Sequence, residues 1–351
     1  MSAPDAAPET IPIRPAHRFD EAALGAHLAR HIAGFEGPLT VRQFQGGQSN
    51  PTFHLSTASR EYVMRKKPPG KLLPSAHAVD REFRVISALK PEGIPVATAH
   101  LLCEDASVIG TAFYIMDYVR GRVFRDPLLP GIEPKERSAI YDAMNDVLAR
   151  LHMVNWQAAE LADFGKPGNY YSRQISRWAQ QYEAAKTDQI DAMDELARWL
   201  PAHVPAGDEA SVVHGDYRLE NMIFHASEPR VLAVIDWELS TLGHPLGDLA
   251  YNCLPYRMAG EGRGPLRNLD PALGIPSEAE YLAAYCRRTG RSGIPDWSFY
   301  LAFSLFRSAG IVQGVYKRGL MGNASNREAA TSYAAVPRLL AEQAWDLVRR
   351  A

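Results

Sequence analysis

Apolar and polar positions follow two rhythms along this chain, one of period two and one of period three to four. Asp20–Ala33 predicts a short amphipathic helix, with Leu24, Leu28 and Ile32 spaced by four. Period-two stretches follow: Leu39–Gln45, Thr52–Ser56 and Tyr62–Arg65 predict an antiparallel set of strands joined by short turns. His77–Lys90 predicts a helix. With Glu82 at zero on a helical wheel, Val79, Val85, Ile86 and Leu89 fall within about 60° of it. Pro91–Leu102 predicts a loop and strand, and Ala112–Val119 a further strand. Helical rhythm then takes over. Pro134–Asn155 carries an apolar face of Ile140, Met144, Val147, Leu148 and Leu151. Trp178, Tyr182, Leu196 and Leu200 mark two more helices, and Tyr281–Arg288, Trp297–Arg318 and Ser332–Arg349 three others.

Ser211–Glu238 interrupts that helical part. Val212 and Val213 run into His214-Gly215-Asp216, and Asn221 follows five residues after the Asp. Met222–Phe224 is a short apolar strand, Glu228-Pro229 a turn, and Val231–Ile235 an apolar run ending on Asp236. Folding back at Glu228-Pro229 predicts Asp216, Asn221 and Asp236 at one end of a small hairpin layer. Asn221 and Asp236 are oxygen ligands suited to Mg²⁺, and Asp216 could accept a proton from an attacking hydroxyl. Phosphoryl transfer needs little beyond metal, proton acceptor and positioning. H-G-D-x-x-x-x-N arises by chance in roughly one chain of this length in five hundred. The competing reading is a buried turn in which Asp216 and Asn221 cap backbone amides.

Two features of the strand-rich part bear on the same chemistry. Gly46-Gly47-Gln48-Ser49 lies between two strands, where backbone amides can approach an anion without an intervening Cβ; a plain hairpin turn is the alternative. Glu82 lies inside an apolar stripe, where an unpaired carboxylate is costly, so it requires a cation. Arg81 and Arg84 fall off that stripe, which favours Arg65 as the partner. Alternation puts Val63 and Arg65 on one strand face and Met64 and Lys66 on the other.

These motifs resemble the aminoglycoside phosphotransferase and choline kinase-like family, a branch of the protein-kinase fold. G-x-P-x-x-D-L-A at Gly243–Ala250 matches it too. GGQSNPT (Gly46–Thr52), YVMRKKPP (Tyr62–Pro69) and the segments around Phe299–Arg307 and Gln313–Tyr316 are similar to one branch, the phosphotransferase-like domain fused to certain acyl-CoA dehydrogenases. The resemblance implies an α+β, bilobal kinase-like fold, with a small antiparallel-sheet N-lobe containing one key helix and a larger, mainly helical C-lobe. Expected boundaries are 1–34 for a tail and short helix, 35–118 for the N-lobe and 119–351 for the C-lobe. It implies a Mg²⁺-ATP-dependent transfer to a hydroxyl of a small molecule, the family hint being a hydroxylated acyl group or its CoA thioester. Asp216 would be catalytic, and Asn221 and Asp236 would hold the metal. Gly46, Gly47, Gln48, Ser49, Arg65 and Glu82 would serve the nucleotide phosphates, and Met116, Asp117, Tyr118 and Val119 the adenine edge. His214 and Asp248 would support the site, Asp248 also as the cap of a helix. Most relatives carry lysine where Arg65 stands, so Lys66 is the alternative phosphate ligand. The rival function is a nucleotide-binding pseudokinase with a regulatory or scaffolding role.

Composition narrows this further. Lys plus Arg total 38 against 40 acidic residues, which argues against a nucleic-acid partner. Cys103, Cys253 and Cys286 are widely spaced and form no paired framework, which fits a reducing, cytoplasmic setting. Met1–Thr10 reads as a disordered tail without a signal-peptide pattern, and no apolar run approaches membrane-spanning length. His152 and His244 read as structural. Arg257, Arg263 and Arg267 lie in a Gly/Pro-rich loop, Arg257–Pro276, and are candidate contacts for an anionic group on the acceptor, or else a solvated basic loop.

Overall fold

The computed structural model describes residues 9–45, 50–68, 78–258, 264–322 and 327–349. Tertiary contacts divide the chain into two compact units. One runs to Gly131 and takes in Gln157–Ala162 and Leu219–Ser240; the other comprises Ile132–Trp156, Asp163–Arg218 and the chain from Thr241 onward.

The first unit opens with β1 (Thr10–Ile11), α1 (Glu21–His31), β2 (Thr40–Phe44), β3 (Thr52–Ser56) and β4 (Glu61–Lys66). α2 (Val79–Leu89), β5 (Ala99–Cys103), α3 (Ala106–Ile109) and β6 (Phe113–Asp117) follow. The six strands form one antiparallel sheet in the order β1-β2-β3-β4-β6-β5. α1 begins where Asp20 accepts from the Ala23 amide at 2.9 Å. Its Leu24 and Leu28 pack with Phe53, Leu55, Tyr62, Met64, Phe113 and Ile115 in one core. β4 shows why its two faces diverge: Tyr62 and Met64 enter that core, while Val63 and Arg65 face away. Thr10, expected in a disordered tail, instead pairs with Phe44, and Ile11 with Gln43. The Arg42 guanidinium reaches back to the Thr10 carbonyl and hydroxyl at 2.8 and 2.9 Å, which ties that edge down.

The chain then enters the second unit through α4 (Pro134–Met153), α5 (Tyr170–Ala185), α6 (Asp191–Ala202) and β7 (Ser211–Val213). It returns to the first for the hairpin β8 (Met222–Phe224) and β9 (Val231–Val234). The remainder belongs to the second unit: β10 (Thr241–Gly243), α7 (Pro245–Asn252), α8 (Leu254–Arg257), α9 (Glu278–Thr289), α10 (Trp297–Leu320), α11 (Arg327–Thr331) and α12 (Val336–Val348). α10 is the centre of that unit. It buries Phe299, Leu301, Phe303, Leu305 and Phe306 and packs against α12, α5, α7 and α6. No helix among the described residues is long and apolar enough to cross a membrane.

α7 corrects one sequence expectation. Its cap is His244, whose Nδ1 accepts from the Leu246 amide at 3.3 Å, and Asp248 sits inside the first turn. The helix starts at Pro245 because proline tolerates the first helical position, where its missing N–H costs nothing. Burial beside Tyr171 and Tyr300 pushes the His244 pKa down from 6.5 to about 4. The depressed value means stability is fully present above pH 6.5 and is lost as pH falls toward 4. At pH 5 this one group should remove roughly 2 kcal/mol. His244→Asn keeps a capping oxygen without titrating. Its melting temperature should therefore fall less between pH 7 and pH 5 than that of the parent chain; equal falls would contradict the assignment.

Candidate active site

In the first unit, Arg65 is the hub of a buried ionic cluster. Its Nη1 lies 2.7 Å from Glu82 Oε2, the pair expected from the apolar stripe of α2. Both terminal nitrogens donate to Asp236 Oδ1 at 3.2 Å, and Nη2 lies 3.8 Å from Glu238 Oε2. Burial works against the guanidinium charge, but Tyr114, Glu82, Asp236 and Glu238 outweigh it and raise the pKa of Arg65 further. Glu82 is 1% exposed. It also accepts from Asn50 Nδ2 at 2.8 Å and from the Tyr114 hydroxyl at 3.0 Å. Burial pushes its carboxyl up to about 7, with Arg65 opposing and Asp236 adding to the rise. Arg65 Nε is buried and makes no hydrogen bond among the described residues. Lys66, the alternative from the sequence, points the other way, with Nζ 5.7 Å from the Phe19 ring and 6.0 Å from that of Phe53. Burial lowers its pKa.

The β8–β9 hairpin brings the two metal-ligand candidates to one end. Asn221 immediately precedes β8 and Asp236 follows β9, with Met222 paired to Val234 and the Ile235 amide donating to the Asn221 carbonyl at 2.9 Å. Asp236 has φ 68° and ψ 60°, left-handed backbone that non-glycine residues adopt rarely and that Asp tolerates better than most. While Oδ1 meets Arg65, Oδ2 has no hydrogen-bond or ion-pair partner among the described residues, and the side chain is 39% exposed. A half-open carboxylate at the end of the hairpin that also carries Asn221 is a donor that suits a hard divalent cation.

In the second unit, β7 pairs with β10 and delivers the His214-Gly215-Asp216 turn. Gly215 has φ 84°, a conformation glycine supplies without a Cβ clash. Asp248 Oδ2 accepts from the His214 amide at 2.5 Å and its Oδ1 from the Gly215 amide at 2.8 Å. Burial opposes the Asp248 charge, but His152, His214 and the Gly215 amide outweigh it and hold the pKa below the usual carboxylate range. His152 Nε2, at 3.6 Å, is too far for a hydrogen bond and acts through charge, while its Nδ1 meets the Tyr285 hydroxyl at 2.8 Å. Asp216 itself stays accessible, at 19%. Its Oδ1 accepts from the Tyr251 hydroxyl at 2.6 Å, and Arg218 Nε lies 3.4 Å from Oδ2.

Residues 40–303 match the model of the phosphotransferase enzyme family, APH. The chain belongs to that family. It is 49% identical to acyl-CoA dehydrogenase family member 10 of Mus musculus, over 98% of this chain and 32% of that one. Against the member 11 protein of Pongo abelii the coverage is 96% of this chain and 44% of the relative, so the chain spans less than half the length of these curated relatives. A solved Ralstonia eutropha structure named for the aminoglycoside phosphotransferases is 53% identical, with TM-score 0.88 over 95% of this chain and 99% of that chain. A spectinomycin phosphotransferase solved with ADP and spectinomycin shares the fold, with TM-score 0.62, 13% identity and coverage of 95% and 99%. The mixed, kinase-like fold expected from the sequence is thereby shown, with a six-stranded antiparallel sheet followed by a mainly helical part.

Other sequence candidates in this chain fare unevenly. Gly46, Gly47, Gln48, Ser49 and Arg263 lie outside the described residues. Met116 pairs with Val63 across β4–β6; the Asp117 amide donates to the Thr98 carbonyl at 2.9 Å and the Tyr118 amide to that of Glu61 at 3.3 Å. The Val119 amide makes no backbone hydrogen bond among the described residues. Arg257 lies 2.5 Å from Glu278 Oε2, and Arg267 is exposed. Sequence reasoning missed Asn50, Tyr114, Glu238 and Tyr251. Tyr251 had a usable signal: it stands three residues after Asp248 on α7, so both face one side.

Proposed function

We propose that this chain transfers the γ-phosphoryl group of ATP to a hydroxyl of a small molecule. The observation that carries the reading is Arg65, held by Glu82 and Asp236 with its buried Nε–H left over. An unmet buried donor costs about 1–3 kcal/mol, and a nucleotide phosphate oxygen would satisfy it. A member of the fold solved with ADP supports nucleotide use. Backbone amides of Gly46–Ser49 are assigned to the phosphates, and the Met116–Val119 stretch to the adenine edge, where the Val119 N–H makes no backbone hydrogen bond among the described residues.

Asn221 and Asp236 would hold Mg²⁺, which would supply positive charge to offset the negative charge on the phosphate oxygens. Asp216 accepts the proton of the acceptor hydroxyl. The acceptor oxygen bonds to the γ-phosphorus as the bond from that phosphorus to the β–γ bridging oxygen breaks, and ADP leaves. His214 and Asp248 keep the turn in shape. The acyl-CoA dehydrogenase names of the relatives point to a hydroxylated acyl group, free or as its CoA thioester.

Incubation with Mg²⁺-ATP and fractionated metabolites, read by mass spectrometry, should yield ADP together with a compound that has gained a phosphoryl group. ATP binding without any phosphorylated product would favour the pseudokinase reading instead. Arg65 and Lys66 separate in a second test. Arg65→Met should weaken ATP binding roughly tenfold or more, the scale of a lost charged hydrogen bond. Lys66→Met, which places an apolar chain between Phe19 and Phe53, should leave the calorimetric affinity unchanged. A reversed pattern would transfer the phosphate role to Lys66.

A further inference from the structure

We propose that Tyr251 is a positioning residue for the transfer, its hydroxyl fixing one oxygen of Asp216 so that the other meets the acceptor. The inference rests on the role given to Asp216 above. The Tyr251 hydroxyl donates to Asp216 Oδ1 at 2.6 Å, the short distance of a hydrogen bond onto a charged oxygen. A carboxylate on a turn can rotate about its side-chain bonds, and rotation exchanges the two oxygens. A phenol on a helix cannot follow it.

Tyr251 is itself held on both sides. It lies on α7, one turn beyond Asp248, whose carboxylate grips the His214 and Gly215 amides. Arg307 of α10 stacks its guanidinium 5.6 Å from the Tyr251 ring centroid and 5.7 Å from that of Trp178. The same Arg307 donates through Nη2 to the Gly215 carbonyl at 2.6 Å. One cation thus fixes both the ring that donates and the backbone next to the carboxylate that accepts. Burial, then the nearby Asp216 charge, raise the Tyr251 pKa, so the phenol remains a donor throughout the working pH range. Arg218 Nε lies 3.4 Å from Oδ2, on a side chain that is 47% exposed.

A tyrosine that merely filled space and satisfied its own hydroxyl would show the same contact, so the test must separate packing from positioning. Tyr251→Phe keeps the ring and its stack on Arg307 and removes one oxygen. Wild type, Y251F, D216N and the double variant are compared as full chains, by ADP formed from Mg²⁺-ATP with water as the surrogate acceptor. Y251F should lower kcat roughly ten- to hundredfold, the cost of a misplaced reacting group, with KM for ATP and the melting temperature unchanged. In the D216N background Y251F should cause no further loss, because the oxygen it orients no longer accepts a proton. A wild-type kcat in Y251F, or an equal fractional loss in both backgrounds, overturns the inference and leaves the role of Asp216 standing. Wild-type turnover in D216N overturns both.

Discussion

Asp216→Asn should lower turnover roughly 10²–10⁴-fold, the span general-base help supplies, while ATP affinity stays unchanged. Asn occupies nearly the same volume and still offers an oxygen to the Tyr251 hydroxyl, so the turn loses no brace. What it cannot do is take a proton. Arg65, assigned to the phosphates, keeps its ion pairs with Glu82 and Asp236 in this variant. The split between lost turnover and kept binding is therefore the signature of the proposed role. Rapid-quench measurement of phosphoryl transfer and calorimetry with Mg²⁺-ATP give the two numbers. Turnover within a fewfold of wild type would remove Asp216 from the chemistry. A parallel loss of ATP binding would mean that the residue supports the fold of the nucleotide site instead.

The parts of this structure legible in the sequence are those where a local pattern and a physical cost agree. β3 was readable at its observed bounds, Thr52–Ser56, because five residues of alternation sit between turn signals. Glu82 was readable because a carboxylate inside an apolar stripe demands a cation, and the structure supplies Arg65. Less local facts were hidden. β1 has two residues, too few for any periodicity, and exists only because Gln43 and Phe44 offer an edge. The orientation of Lys66 depends on Phe19 and Phe53, which come from separate segments. Asp248 was misread as a cap although His244-Pro245 carried the better signal, a capping nitrogen ahead of a first-turn proline. Its interior position on α7 is what frees both carboxylate oxygens for the His214 and Gly215 amides.

Asp248→Ala should therefore be the most damaging single change to the second unit. It strips the acceptor from two backbone amides, His214 N and Gly215 N, in a region where Asp248 is 3% exposed and His214 fully buried. Each unmet buried donor costs about 1–3 kcal/mol, so the total is roughly 2–5 kcal/mol after partial relaxation. His152 would also lose the negative charge beside its Nε2. A second unit of this size should melt lower by roughly 5–15 °C, at about 2–4 °C for each kcal/mol. Asp248→Asn retains one accepting oxygen and should fall between the two. Turnover should drop in both variants in step with disorder of the turn, because Asp216 is the next residue along. Scanning calorimetry settles the point: a transition in D248A that matches wild type would show that the two amides find other acceptors, and that the turn stands without its brace.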